Sequence, residues 1–205
     1  MSSPPSVLSR PSRSDVRARI LAAAAAAFLA SGYTDTTVTG IAAGAGFTKG
    51  AVYSNFGSKP ELFCAVFADR TAAVADLALS RTGIRSVSSG RRSLADVARS
   101  LTEQVTASSP WPSLLTEFRV LALRDPEVGA LYGRLRLRQC EQVAEELRSL
   151  ADALELPDSF DFPTAANLIY TVTGALATEH AAAPEAIPAA LVEASLTHLL
   201  ESLVP

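Results

Sequence analysis

Cysteine and histidine are scarce in this chain of 205 residues, which has only two of each. Cys64 and Cys140 are far apart, and neither they nor His180 and His198 show the CxxC or Cys/His spacing of a zinc site. Isolated histidines also make a poor metal site or catalytic base. We therefore expect no metal, no cofactor and no redox dithiol, Cys64 being a buried thiol, and a location in the reducing cytoplasm.

The chain also lacks the signatures of common catalytic sites. It has no Gly-x-Ser-x-Gly elbow, no glycine-rich phosphate loop and no paired catalytic carboxylates. No stretch alternates apolar and polar residues for long enough to predict a sheet. Instead, 48% of the residues are hydrophobic and only 6% aromatic, with alanine heavily used. Because this composition is typical of closely packed helices, we predict an all-α protein that is not an enzyme.

Lysine is nearly absent, and the basic residues are unevenly distributed. Residues 1–60 carry six basic and two acidic side chains, whereas residues 61–205 carry 12 basic and 19 acidic ones. The net charge of −3 therefore averages two unlike parts. A basic N-terminal module on an acidic body indicates an anionic partner for the N-terminal part alone.

Residues 10–30 imitate a secretory signal, because basic residues up to Arg19 precede the apolar run Ile20–Ala30. The run is too short and too rich in alanine to span a bilayer, which takes about 20 strongly apolar residues. We therefore expect neither secretion nor a membrane partner.

Helix start and stop signals divide the first 80 residues into a disordered basic arm, 1–13, and four helices. The predicted N-caps are, in chain order, Ser14, Thr36 or Thr37, Thr48 and Ser58. Gly32 ends the first helix and Gly46 the second, while the third runs to about Asn55 and the fourth to about Ser80.

Five further helices are predicted after a Gly/Ser/Arg linker at 81–92. They cover about 93–107, 110–125, 126–156, 164–182 and 188–203. We expect a DNA-binding head at 14–60 and a larger helical body at 61–205 that binds a ligand and dimerises.

Three short helices with a glycine turn between the second and third predict a helix-turn-helix. Ala42 and Ala45 are small enough for the helices to cross closely, and Gly46 can take the positive φ of the turn. The side chains expected to fill this core are Phe28, Ile41, Phe47 and Val52.

From Gly32 to Phe63 the chain reads Gly-Tyr-x-x-Thr-Thr-Val-x-x-Ile-Ala-x-x-Ala-Gly-Phe-Thr-Lys-Gly-Ala-Val-Tyr-x-x-Phe-x-Ser-Lys-x-x-Leu-Phe. With the helix before it, this pattern resembles the DNA-binding domain of the tetracycline-repressor (TetR) family over about residues 14–63. In the body, the stretch Glu117–Pro126 resembles a run found in many members. The resemblance implies a DNA-binding head followed by a body that dimerises and senses a ligand.

The resemblance also implies which residues meet DNA. The recognition helix opens at Thr48, Gly50 and Ala51 leave room for close approach to the groove, and Asn55 stands where histidine is commoner. Arg10, Arg13 and Arg17 could extend the contact into the minor groove. The residues expected to contact DNA are Arg13, Thr37, Thr48, Lys49, Gly50, Ala51, Tyr53, Asn55 and Lys59.

The last two predicted helices carry apolar stripes that fit the family's four-helix dimer interface. The residues expected there are Ile169, Val172, Leu176, His180, Leu191, Ser195 and Leu199. The alternative is that the same stripes pack only within one chain.

Aromatic and aliphatic side chains of the middle helices are candidates for a ligand cavity. They are Phe67, Val74, Leu101, Trp111, Leu114, Phe118, Tyr132 and Tyr170, and Arg70, Glu117 and Gln139 are the polar residues expected beside them. The alternative for each aromatic residue is a place in the core. Few charges interrupt these stripes, which favours an apolar or amphipathic ligand, and Arg134, Arg136 and Arg138 are expected on a solvated face.

The sequence thus predicts a homodimeric transcriptional regulator, a repressor released from a palindromic duplex operator by a small molecule. The alternative is a helical small-molecule-binding protein or enzyme whose basic head does not bind DNA.

Overall fold

The computed structural model describes residues 12–81 and 93–204, and of residues 72–81 it describes the backbone alone. The described ranges contain helices and turns but no strand, which confirms the all-α prediction. The helices are α1 (Arg13–Asp35), α2 (Val38–Ala45), α3 (Lys49–Phe56), α4 (Lys59–Arg81), α5 (Leu94–Thr106), α6 (Trp111–Ala122), α7 (Pro126–Leu150), α8 (Phe162–Ala182) and α9 (Ala189–Leu203). Residues 1–11 of the predicted arm and 82–92 of the predicted linker lie outside the described residues.

α1 begins with a capping box. Ser12 Oγ accepts a hydrogen bond from the backbone N–H of Asp15, whose carboxylate accepts one from Ser12 N, each at 3.1 Å. The Ser12 hydroxyl also donates to the Asp15 carboxylate at 2.7 Å, and this bond, followed by the one from Ser12 N, lowers the pKa of Asp15. The N-cap is therefore Ser12 rather than Ser14, and Arg13 is helical rather than part of an arm. Gly32, with φ 74°, interrupts α1 where the sequence predicted its end.

The chain divides into two compact units, Met1–Val66 and Phe67–Pro205. In the first, α1, α2, α3 and the beginning of α4 enclose an aromatic cluster of Phe28, Tyr33 and Phe63. The Phe63 ring meets the other two edge-on, with centroids 5.2 Å from Phe28 and 5.0 Å from Tyr33. These contacts fix α4 against α1 within this unit.

The core predicted for the helix-turn-helix is confirmed in three of four positions. Phe28, Ile41 and Val52 are buried, but Phe47 is only half-buried. The guanidinium of Arg19 lies 4.7 Å from the centre of the Phe47 ring, so a cation rather than the core covers one face of this side chain.

α1 is the one helix among the described residues that is long and apolar enough to cross a membrane. Its Ile20, Ala24 and Phe28 are fully buried within the first unit. Arg17 and Arg19 lie on its exposed face. A core helix of a helical bundle meets the same test of length and composition.

In the second unit, α5 packs against α9 and α7 against α8. Their common core includes Ala98, Leu147, Ala166, Val192 and Leu196. The two alanines have no side chain beyond Cβ, so the helices that carry them approach closely, as the composition predicted.

α7 is shorter than its pattern predicted. It begins at Pro126 and is capped by Asp125, whose Oδ1 accepts from the backbone N–H groups of Glu127 (2.9 Å) and Val128 (3.3 Å). It ends at Leu150 rather than near residue 156, and turns follow. Glu155 adopts φ 54°, and Pro157 disfavours helical geometry in the residue before it.

Candidate functional site

The turn between α2 and α3 is closed by Gly46 in the left-handed conformation, with φ 71°. The backbone N–H of Phe47 donates to Ala42 O (2.9 Å) and that of Gly46 to Ala43 O (3.1 Å), so the last carbonyls of α2 are satisfied. Thr48 caps α3 as predicted, its Oγ1 accepting from Ala51 N at 3.2 Å. Thr37 caps α2 in the same way, accepting from Gly40 N at 3.1 Å.

One face of α3 is open to solvent. Lys49, Gly50 and Tyr53 are exposed, whereas Val52 and Phe56 on the opposite face are buried. Lys49 Nζ lies 5.6 Å from the centre of the Tyr53 ring, which puts a cation and an aromatic hydroxyl on the same surface. Such a surface suits phosphate oxygens and base edges.

Asn55 is held within its own helix. Its Nδ2 donates to Ala51 O at 2.8 Å, and the residue is half-buried. Ala51 is half-buried too, unlike the exposed Gly50 before it. Of the residues expected to meet DNA on α3, these two are therefore the least accessible.

Two arginines of α1 hold the helix-turn-helix together. Arg19 Nη2 donates to Ala45 O at 2.9 Å beside the turn. Arg17 Nη1 donates to Asn55 O at 3.2 Å at the end of α3, and its guanidinium lies 4.3 Å from the Phe56 ring centre. Arg17 thus has partners within the chain, in contrast to the minor-groove contact expected of it. Sequence reasoning missed Arg19, because only its position one turn before the half-buried Ala23 indicated a structural role.

Lys59 also has partners within the first unit. Its Nζ donates to Thr34 O at 3.1 Å and lies 4.5 Å from the centre of the Tyr33 ring. Arg13 and Thr37 are exposed, so these residues remain accessible at the surface.

The second unit contains a cavity of about 870 Å³ between α4, α5, α6, α7 and α8. This volume is within the range of pockets for small-molecule ligands. Six of the residues predicted to line a pocket do line it: Phe67, Arg70, Leu101, Trp111, Gln139 and Tyr170.

Four other predicted pocket residues do not line the cavity, and the side chain of Val74 lies outside the described residues. On α6, Trp111, Leu115 and Arg119 face the cavity at a spacing of four residues. The four that do not are Leu114, Glu117, Phe118 and Tyr132. Leu114 and Phe118 are core residues, and the Tyr132 hydroxyl accepts a hydrogen bond from Arg119 Nε at 2.9 Å. For the three positions on α6, it is the adjacent face of the helix that lines the cavity, while Tyr132 lies on α7.

Arg136 does not lie on a solvated face as predicted. Its guanidinium lies 4.3 Å from the centre of the Tyr170 ring and donates to Asn167 Oδ1 (2.7 Å) and Thr171 Oγ1 (2.6 Å). Burial, followed by the neighbouring Tyr132, raises the pKa of Tyr170. Arg136 thereby fixes α8 against α7.

The stripe predicted for dimerisation faces mostly inward. Ile169 is buried and lines the cavity, so its prediction as an interface residue is wrong. Val172, Leu176 and Leu199 pack against the core of their own unit. This outcome matches the alternative, in which the stripes pack within one chain.

The remaining predicted interface residues differ in exposure. His180 Nδ1–H donates to Ile187 O at 2.7 Å, and Ser195 Oγ donates to Leu191 O at 2.8 Å. Leu191 is 45% exposed on α9, and Leu168, which sequence reasoning missed, is 37% exposed on α8. The apolar surface of these two helices is thus centred on residues other than most of those predicted.

The fold is shared with solved bacterial proteins, two of which are described as transcriptional regulators. GusR from Salmonella enterica is 24% identical, with a TM-score of 0.63 over 91% of this chain and 95% of that one. A putative TetR-family regulator from Mesorhizobium loti is 23% identical, with a TM-score of 0.67 over 95% and 97%. FadR from Bacillus subtilis, solved in complex with stearoyl-CoA, is 18% identical, with a TM-score of 0.60 over 92% and 99%. The chain therefore has the fold of the TetR-family transcriptional regulators.

Residues 20–66 match the family model of the bacterial regulatory proteins, tetR family. The resemblance found in the motif is thus confirmed over this segment, which contains α2, α3 and most of α1. No curated protein sequence matches the chain.

Proposed function

We propose that the protein is a homodimeric, cytoplasmic transcriptional regulator that represses by binding a palindromic operator in duplex DNA. The observation that carries the proposal is the exposed, capped beginning of α3 in a segment that matches the tetR family model. A recognition helix needs this arrangement, because its first residues must reach base edges while its other face stays packed.

In this proposal Lys49 and Tyr53 bind phosphate oxygens, and the absence of a side chain at Gly50 lets α3 approach the groove floor. Thr37 donates its hydroxyl proton to a phosphate while its Oγ1 still accepts from Gly40. Lys59, whose Nζ donates to Thr34 O at the beginning of α4, brings a positive charge to the same phosphate backbone in this proposal.

We also propose that the cavity of the second unit binds a small apolar or amphipathic ligand that releases the operator. Its size and its aromatic lining of Phe67, Trp111 and Tyr170 support this role. FadR, which shares the fold, was solved in complex with stearoyl-CoA. A protein with this fold can therefore bind a ligand, which supports a ligand-binding role for the second unit. α4 contributes residues to both units, so a ligand that favours another position of α4 would change operator affinity.

The experiment is to select binding sites from a duplex library and to measure the salt dependence of binding. Lys49→Ala should weaken binding and flatten the log–log salt dependence by about one unit for each half-site, because one phosphate contact is lost in each. Arg124→Ala is a matched control, since Arg124 is an exposed cation of the second unit.

A selected site with two-fold symmetry and half-sites one or more helical turns apart would support the proposal. Failure to bind any duplex at low salt would overturn it and favour the alternative, a helical small-molecule-binding protein or enzyme.

A further inference from the structure

One side chain of the cavity is a half-buried acid. α7 turns Gln139, Gln142, Val143 and Glu146 toward the cavity, at the spacing of one helix face. Gln139 is satisfied, because its Nε2 donates to Thr71 Oγ1 (3.0 Å) and to Gln142 Oε1 (3.1 Å). Glu146 lies about 10 Å further along the helix, at a rise of about 1.5 Å per residue.

The Glu146 carboxylate has neither a hydrogen bond nor an ion pair with any residue that the structure describes. Burial raises its pKa, and no cation among the residues with described side chains opposes that effect. A partly buried carboxylate without a partner is unfavourable in the free protein. A ligand that places a positive charge next to such a carboxylate would stabilise it.

The other charged side chains of the cavity are differently placed. Asp96 pairs with Arg99 at 3.4 Å, Arg119 donates to the Tyr132 hydroxyl, and the Arg70 guanidinium lies 5.4 Å from the centre of the Trp111 ring. Glu103 is exposed to solvent. An anionic ligand would have to take Arg119 or Arg70 from these partners and would leave Glu146 unpaired.

We propose that the cavity ligand is an amphipathic cation whose ammonium or amidinium group pairs with Glu146. This inference rests on the proposed role of the cavity as the ligand site. The apolar body of the ligand extends along α7 toward Gln139, where Tyr170 and Trp111 offer aromatic surface. A body of about 10 Å, the length of a chain of eight to ten carbons, fits the distance between Glu146 and Gln139.

The test uses three probes that share a ten-carbon chain: decyltrimethylammonium, decanol and decanoate, each below its micelle concentration. Binding is followed by calorimetry and by the fluorescence of Trp111, the only tryptophan, which lines the cavity. Decyltrimethylammonium should bind most tightly. Glu146→Gln should weaken binding of that probe about tenfold, which corresponds to about 1.4 kcal/mol, because the quaternary ammonium loses its ion pair, and it should leave decanol unchanged.

Glu141→Gln is the matched control, because Glu141 is an exposed acid of α7 outside the cavity lining. Decanoate binding as tightly as the cation, or an equal effect of the two variants, would overturn the inference. Operator binding is measured separately with the same variants. A protein that binds the cation through Glu146 but binds no DNA would contradict the proposed regulator and leave the cation site intact.

Discussion

At the scale of single residues, Arg19 shows how a surface cation can serve the architecture of the site. Its guanidinium donates to Ala45 O at the end of α2 and covers Phe47 directly after the turn. A Cβ on Gly46 would lie 3.0 Å from Arg19 Nη2, so the side chain is packed closely over the turn. We infer that Arg19 positions the turn that orients α3.

Arg19→Ala should lower the stability of the folded protein by about 1 kcal/mol, because a charge-assisted hydrogen bond and a cation–π contact are lost together. In a chain of this size that corresponds to a fall in Tm of about 2 to 4 °C, measured by circular dichroism. Arg13→Ala removes the same charge from an exposed site in the first turn of α1 and should leave Tm unchanged or slightly raised. Equal losses in the two variants would mean that Arg19 contributes only its charge.

Arg17, Arg19 and Lys59 also mark the limit of what the sequence predicts about the site. The sequence shows the excess of positive charge to which these residues contribute, and it shows the motif that contains Lys59. It does not show what these cations bind. Their partners are the backbone carbonyls of Asn55, Ala45 and Thr34, between 25 and 38 positions away in the chain. Because every residue type has such a carbonyl, only the packed structure distinguishes an engaged cation from one available to DNA.

At the scale of elements, the ends of most helices could be predicted from the sequence. Capping side chains and turn glycines mark these ends, and both interact with residues at most four positions away. Thr48 and Thr37 cap α3 and α2 as predicted. It was harder to predict which face of a helix lines the cavity and which face packs elsewhere, as Phe118 and Ile169 show. Apolar stripes on α6 and α8 are wide, and which part lines a cavity depends on how neighbouring helices are rotated.

The connection between α2 and α3 gives a prediction at this scale. Gly46→Ala should destabilise the protein by about 1 kcal/mol or more, because φ 71° is unfavourable for a residue with a Cβ, and that atom would press on Arg19. Gly133→Ala in α7 should instead stabilise it by about 0.5 to 1 kcal/mol, since no atom lies within 4 Å of the added Cβ and alanine favours the helix. Thermal unfolding of the two variants measures both effects.

The two glycine variants are expected to change the stability of the protein in opposite directions, which makes the comparison decisive. If Gly46→Ala kept the wild-type Tm, the left-handed turn would not constrain the helix-turn-helix. Weaker operator binding by Gly46→Ala at a temperature where the variant is fully folded would connect the turn geometry to the placement of α3.

At the scale of the whole molecule, a single recognition helix contacts only a few base pairs of DNA. The regulator that we propose needs two recognition helices to distinguish its operator from other DNA. Two-fold symmetry supplies both copies when the same surface of two chains pairs with itself. α8 and α9 pack against each other in one unit, and their outward residues include Leu168 and Leu191. The inward orientation of Ile169 and Val172 means that the pairing surface we propose is this outer one.

Leu191→Asp and Leu168→Asp should each shift the protein from dimer toward monomer at micromolar concentration, because a carboxylate buried in an apolar interface lacks a partner. Sedimentation velocity measures the change. Leu123→Asp is the matched control, since Leu123 is 86% exposed after the end of α6 and lies outside α8 and α9. Val172→Asp would not serve, because Val172 packs against the core of its own unit and the variant would unfold it.

A monomeric wild-type protein, or a dimer that survives both substitutions on α8 and α9, would contradict this interface. The DNA measurement then separates assembly from recognition. A monomeric Leu191→Asp variant keeps its α3 surface intact, so it should still bind single half-sites weakly, with about half the wild-type salt slope, because half of the phosphate contacts remain. Loss of all binding, with the helical content unchanged, would show instead that Leu191 acts on the DNA-binding unit and not on the pairing of two chains.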